Sequence, residues 1–219
     1  MNAAKVAIIA GGTGFVGQHV IDDVVKDNFF DKIYVLNRRK LNYESKKVHE
    51  IIVDFNDLPK YVEGLQPTHA FCTVGTTIKK AGSKEAFRKV DEIYVLNFAH
   101  AVYNLGCENF NVVTAIGSNK PSKVFYNQVK YEVSQSLENI GFDQLNILQP
   151  SLLLGNRGEK RLGEDVMQVF FKYTKKLWVG PLKNIAGIQG SQVAKAMVAI
   201  SKNDRKGVFR IPSSELQEF

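Results

Sequence analysis

Apolar and polar positions alternate in blocks along the chain. Short apolar runs recur at 5–10, 32–36, 48–53, 69–74, 109–114, 144–148 and 207–211. Between them lie stretches in which apolar residues return every three or four positions. Runs of the first kind read as buried strands, and stretches of the second kind read as amphipathic helices. The longest helical stretch is 83–105, where Phe87, Val90, Ile93, Tyr94, Ala101, Val102 and Leu105 share a face and Gly106 stops the helix. A second, 123–140, carries Val129, Val133 and Leu137 and ends at Gly141. Shorter helices are predicted at 15–27, 163–176 and 191–202. Strands that alternate with helices from end to end predict βαβ units, and hence an α/β protein with a doubly wound parallel sheet.

The junction between the first strand and the first helix carries the first sign of chemistry. The strand Lys5-Val6-Ala7-Ile8-Ile9-Ala10 runs into Gly11-Gly12-Thr13-Gly14-Phe15-Val16-Gly17. Gly11 permits a sharp turn, Gly14 permits close approach of a pyrophosphate, and Gly17 permits tight packing of helix on sheet. The helix start adds free N–H groups and a positive dipole end. A Rossmann-like dinucleotide site is the expectation, with Gly11, Gly12, Thr13, Gly14, Phe15, Val16 and Gly17 as its phosphate loop. An ordinary tight turn would need the same glycines. The second strand ends in Asn37-Arg38-Arg39, with no acidic residue to accept the ribose hydroxyls of NAD. A guanidinium forks onto phosphate, so Arg38 or Arg39 points to NADP(H), with NADH the lesser candidate. Asp54, after the third strand, is placed either to reach the adenine edge or to cap its own loop.

On the helix 123–140, Tyr126 and Lys130 stand four residues apart and therefore on one face. A free phenol titrates near pH 10, and a fixed cation beside it eases proton transfer nearer neutrality. Lys130 can also hydrogen-bond a nicotinamide ribose. The pair is thus a candidate general acid and base, although the same spacing is common on helix surfaces.

The formal charge is +7, but the cations are scattered from Arg38-Arg39-Lys40 to Lys202-Arg205-Lys206, and no aromatic residues are interleaved with them. That pattern fits a solvated basic surface that favours anionic small ligands, and it argues against nucleic acid. Cys72 and Cys107 are too few and too far apart for a disulfide framework and are expected as free thiols. His19, His49, His69 and His100 show no ligand spacing, so no metal is expected. No run reaches the length of a membrane span, and the N-terminus has a strand pattern instead of a signal peptide. A soluble cytoplasmic protein is the expectation. With no repeat, low-complexity tract or linker, one domain should cover 1–219, with 1–149 as nucleotide-binding core and 150–219 supplying substrate-side loops and helices.

Several longer runs carry a family resemblance. They are Phe71-Cys72-Thr73-Val74-Gly75-Thr76-Thr77, Ala81-Gly82-Ser83-Lys84-Glu85-Ala86-Phe87, Phe125-Tyr126-Asn127-Gln128-Val129-Lys130 and Gln149-Pro150-Ser151-Leu152-Leu153-Leu154-Gly155-Asn156-Arg157. With the glycine spacing they make the chain resemble an atypical short-chain dehydrogenase/reductase, similar to the Tat-interacting-protein group and its small bacterial relatives. The resemblance implies NADPH over Gly11, Gly14 and Gly17, with Thr73, Val74, Gly75 and Thr76 lining it behind the fourth strand. It implies Tyr126 as proton donor to a substrate carbonyl and Lys130 as its partner. It implies that Pro150, Leu152 and Leu153 pass under the nicotinamide and that Arg157 reaches towards the pocket or the cofactor. The family's carbonyl-orienting serine is replaced. Thr114, twelve residues before Tyr126, is the expected substitute and Ser118 the fallback.

Only 69 residues follow Pro150, which disfavours a nucleotide-sugar substrate and leaves a pocket built from the loop after Gly155, the helix near Met167 to Tyr173 and Leu177 to Pro181, with Trp178 and Phe170 or Phe171 as an apolar wall. Two functions follow from the resemblance. One is hydride transfer between NADPH and a small carbonyl or alcohol. The other is non-catalytic, NADPH-responsive gating of a protein partner. Members of the fold often pair through the helices corresponding to 83–105 and 123–140, so a homodimer stays open.

Overall fold

The computed structural model describes residues 4–118, 121–154 and 187–219. The predicted helix 163–176, Arg157 and the aromatic wall at Phe170, Phe171 and Trp178 lie outside the described residues. Seven strands form one parallel sheet: β1 (Val6–Ala10), β2 (Lys32–Asn37), β3 (Val48–Ile52), β4 (His69–Cys72), β5 (Asn109–Val113), β6 (Gln144–Gln149) and, after a small strand pair, β9 (Gly207–Pro212). Their order is β3-β2-β1-β4-β5-β6-β9, so the chain winds outwards from β1 in one direction and then returns to wind in the other. The crevice where that reversal occurs, between the ends of β1 and β4, is where open α/β sheets bind ligands. The pair is β7 (Leu153–Leu154) and β8 (Ile188–Gln189).

The helices cover both faces because β1 is apolar on both sides, as β4 is beyond His69. Ala7 and Ile9 point into a core shared with α1 (Phe15–Lys26), through Val16, Val20 and Ile21, and with the helix Gly190–Ser201, through Val193 and Met197. Ile8 and Ala10 point the other way, into a core with Phe87, Phe98, Phe110, Val129 and Val133. This double burial is the reason that the strands read as continuous apolar runs instead of alternating ones.

The predicted long helix is segmented. After the short α2 (Pro59–Val62) come α3 (Ile78–Ala81), a left-handed Gly82 and then α4 (Lys84–Arg88), capped by Ser83 Oγ, which accepts from Ala86 N at 3.0 Å. A π-helical turn, Lys89–Ile93, joins α4 to α5 (Tyr94–Asn104). The π turn inserts one residue into the helical repeat. Ile93, expected on the buried face, is 47% exposed, while Asp91, one helical repeat after the buried Phe87, is 1% exposed. α6 (Phe125–Glu138) buries Val129, Val133 and Leu137 as predicted. The helix Gly190–Ser201, here α7, and a final turn, α8 (Ser213–Leu216), complete the order. Among the described residues, no helix is long and apolar enough to cross a membrane.

Candidate active site

β1 delivers the chain to Gly11, whose φ of 90° lies in the left-handed region and whose Cβ, if present, would stand 2.7 Å from the backbone at Thr73 and Val74. Glycine is therefore required there on two counts. A Cβ on Gly17 would come 2.2 Å from the Gly11 carbonyl oxygen, so α1 starts as close to the turn as a chain can approach. Gly14 N donates to Gly11 O at 2.9 Å and closes the turn. The Thr73 hydroxyl fastens it from β4, lying 3.0 Å from Ala10 O and 3.1 Å from Gly11 O. Gly14 caps α1 without a side chain, so the opening turn of the helix faces the crevice with no internal group laid over it.

Above this turn a cleft of about 450 Å³, its open mouth included, is lined by Gly11, Thr13, Gly14, Arg38, Thr73, Val74 and Gly75 of the expected residues. Leu36, Asn37, Phe55, Val90 and Tyr94 complete it. Arg38 is exposed at the rim, whereas the equally exposed Arg39 does not line the cleft. Asn37 is 2% exposed, and neither its Oδ1 nor its Nδ2 has a hydrogen-bond partner. A buried amide left unpaired is costly and wants an occupant of the cleft. Asp54 takes the loop-capping role. Its carboxylate accepts from Asn56 N at 2.9 Å and Asn56 Nδ2 at 2.6 Å, bonds that hold its pKa below the usual value in an exposed turn. Phe15 and Val16 point their side chains away from the cleft. Val16 joins the core beneath α1, and Phe15 packs so tightly on Gly190 of α7 that a Cβ there would lie 2.4 Å from its ring.

Neither Tyr126 nor Lys130 lines the cleft, but Lys130 lies behind Gly75 at its β4 end. Lys130 is 5% exposed, and its Nζ lies 3.9 Å from where a Cβ on Gly75 would stand. Tyr126 is half-buried, with its ring 5.5 Å from that of Phe87. The sequence reading missed the third member. Asp91 Oδ1, from the π turn, stands 2.7 Å from Lys130 Nζ, and Asp91 Oδ2 accepts from Thr76 N at 2.7 Å. Burial works against the Lys130 ammonium, but the Asp91 carboxylate, helped by Tyr126, outweighs it and holds the lysine above its usual pKa. The available signal was that Asp91 and Lys130 are opposite charges, each set on an apolar helical stripe.

Thr114 and Ser118 do come together, but they face inward. Gln149 Nε2 donates to Ser118 Oγ at 2.9 Å, Ser118 and Thr114 lie 3.1 Å apart, and Thr114 Oγ1 donates to Leu148 O at 3.1 Å. A hydroxyl has one proton, so Thr114 gives its own to Leu148 and Ser118 gives its own to Thr114. Neither is left to orient a substrate carbonyl, a correction to the expected role of Thr114 and of its fallback. Pro150 is buried, with its carbonyl accepting from Ile116 N at 3.0 Å, and Leu152 O accepts from Ile188 N at 2.9 Å. The segment holding Pro150, Leu152 and Leu153 thus follows the end of β6 but does not line the cleft. Cys72 and Cys107 are buried free thiols, each pushed by burial up to about 12.

The likeness to known proteins is consistent along the whole chain. Protein HTATIP2 of Rattus norvegicus is 35% identical over 178 residues, covering 80% of this chain and 73% of that protein. Protein FMP52, mitochondrial, of Lodderomyces elongisporus is 31% identical over 229 residues, covering 96% and 94%. The chain belongs to the atypical short-chain dehydrogenase/reductase family. An oxidoreductase of the short-chain dehydrogenase/reductase family from Burkholderia thailandensis shares the fold, with a TM-score of 0.73 at 14% identity over 99% of this chain and 94% of that one. UDP-glucose 4-epimerase of Thermotoga maritima superposes with a TM-score of 0.70 at 16% identity, covering 94% and 76%. No family model matches the chain. For this family member the cytoplasmic expectation is overturned, because the fungal relatives are named as mitochondrial proteins.

Proposed function

We propose that this chain binds NADP(H) across the crevice between β1 and β4 and interconverts a small carbonyl compound and its alcohol. The observation that carries the nucleotide is the unpaired Asn37 amide buried beside a glycine turn that has no room for a Cβ. A dinucleotide fits these residues: its pyrophosphate would lie at the opening turn of α1, and its adenosine end would meet Asn37 and Arg38. Arg38 makes no ion pair among the described residues, which supports a 2′-phosphate as its counter-charge. WbmH and WbmG of Bordetella bronchiseptica, of the same fold, are described in complex with NAD, in support of a nicotinamide dinucleotide here.

When bound, the nicotinamide supplies or accepts the hydride. Tyr126 gives its phenolic proton to the substrate oxygen, or takes it back in the reverse direction. Lys130 stabilises the phenolate that remains and holds its own position through Asp91. Titration of the purified protein with NADPH and NADH, followed by nucleotide fluorescence, tests the reading. NADPH binding should weaken at least about tenfold in Arg38→Glu, with NADH changed less than about twofold. Absence of binding by either nucleotide would overturn it.

A second reading has an observation of its own. Since Thr114 gives its proton to Leu148 O and Ser118 gives its own to Thr114, the site has one proton donor in place of two. That favours a nucleotide-responsive binding protein, in which the nucleotide orders the site and so alters affinity for a protein partner. Affinity for a partner that changes with NADPH and is indifferent to Tyr126→Phe would select it.

A further inference from the structure

Two halves of the proposed site reach Asp91 from different parts of the chain. The Lys130 ammonium, from α6, lies 2.7 Å from one carboxylate oxygen, and the backbone N–H of Thr76, in the loop after β4, lies 2.7 Å from the other. Asp91 itself sits on the π turn, 1% exposed, where an unpaired carboxylate would be very costly. One helical repeat earlier, Phe87 packs its ring against Phe125 and Tyr126 of α6, so this face of the helix is the one turned towards α6, and the π turn carries Asp91 on it.

We propose that Asp91 is a positioning residue that locks the Lys130 ammonium and the Gly75–Thr76 turn into one unit, so that the nicotinamide end of the site is assembled before the nucleotide arrives. This rests on the dinucleotide-binding reading above. Binding that needs no ordering of a lysine or a loop is stronger for the same contacts. The charged or titratable groups that face Lys130 are Asp91 from the π turn, Tyr126 from its own helix and Cys72 from β4. Burial pushes the Cys72 thiol up to about 12, and Asp91 supplies the carboxylate that stands 2.7 Å from the ammonium.

The charge role and the loop role separate experimentally. Asp91→Asn keeps an oxygen for Thr76 N but removes the counter-charge, and burial then drives Lys130 towards its neutral form. The ratio of NADPH affinity in Asp91→Asn to that in the parent protein, which cancels the nucleotide's own titration, should fall at least about tenfold between pH 7 and 9.5. A ratio that stays constant with pH overturns the charge role. The loop role is read on a background without the buried cation, which also keeps the test valid if Asp91→Asn alone fails to fold. Asp91→Ala/Lys130→Met should bind NADPH about fivefold more weakly than Asp91→Asn/Lys130→Met, the equivalent of one lost hydrogen bond. Equal affinities overturn the loop role. A parent protein that binds neither NADPH nor NADH overturns the dinucleotide reading itself, an outcome distinct from both.

Discussion

At the residue scale the site depends on a few atoms with no freedom to move. Gly17 lies where any side chain would strike the Gly11 carbonyl at 2.2 Å and the Thr73 hydroxyl at 2.7 Å. Gly17→Ala should therefore push α1 off the turn, lowering stability by about 1–3 kcal/mol in chemical unfolding and weakening NADPH binding in the same preparation. In the proposed reaction Tyr126 gives a proton that Phe cannot, while its ring packing on Phe87 would be kept by Phe. Tyr126→Phe should lower turnover of any carbonyl substrate by about 100-fold or more, with NADPH affinity unchanged in a parallel titration. Thr114→Val should cost about 1–3 kcal/mol, because Ser118 then loses the buried acceptor of its proton; thermal unfolding reads this. The glycine turn and the shared helix face of Tyr126 and Lys130 were legible because a sharp turn and a four-residue helical spacing are local properties. Asp91, Asn37 and the inward turn of Thr114 were not. Whether a hydroxyl, amide or carboxylate faces a cleft or a carbonyl depends on partners up to tens of residues away, as Leu148 is from Thr114.

At the element scale the strands were readable to within two residues, since strands buried on both faces keep bulky apolar residues throughout, even in β5 and β6, where Asn109, Asn111, Gln144 and Asn146 bond to one another. α6 was readable too, and Gly141, with a φ of 93°, ends that stretch as Gly106, at 80°, ends α5. The segment 83–105 was readable in its bounds but not in its interior. Its apolar spacing looked like a single helix, yet a π turn, Lys89–Ile93, joins α4 to α5. A π turn forms no pattern in local propensity and is stabilised by what it presents, here Asp91 to Lys130. The stripe C-terminal to it holds this region to the sheet: Phe98 is fully buried, with its ring 5.8 Å from that of Phe110 on β5. Phe98→Ala should destabilise the protein by about 3–5 kcal/mol in denaturant unfolding, an effect far larger than that of truncating the exposed Ile93.

For the whole molecule, two apolar layers back to back on one sheet set the stability, and a buried histidine gives it a pH dependence. His69 starts β4 at the edge of one layer, 6% exposed, with the rings of Phe29 and Phe30 each 5.4 Å away. Burial, with the nearby Lys5 charge, lowers its pKa to about 4. Above pH 6.5 the ring is neutral in both the folded and the unfolded chain and adds no pH dependence. Between pH 6.5 and 4 only the unfolded chain takes up the proton, so stability should fall by up to about 3 kcal/mol and then level off. Urea titrations across that range should show the fall, and His69→Gln should flatten it. The order of apolar runs by itself determined that this chain winds into a doubly wound parallel sheet, because burial on both faces and the helical repeat are properties of neighbouring residues. The glycine turn, likewise local, determined where the cleft would form. Only the tertiary structure decided which polar groups the site keeps for a ligand and which the protein uses on itself. That choice is made by residues far apart in sequence, Asp91 with Lys130 and Thr114 with Leu148, once the sheet has brought them within hydrogen-bonding reach.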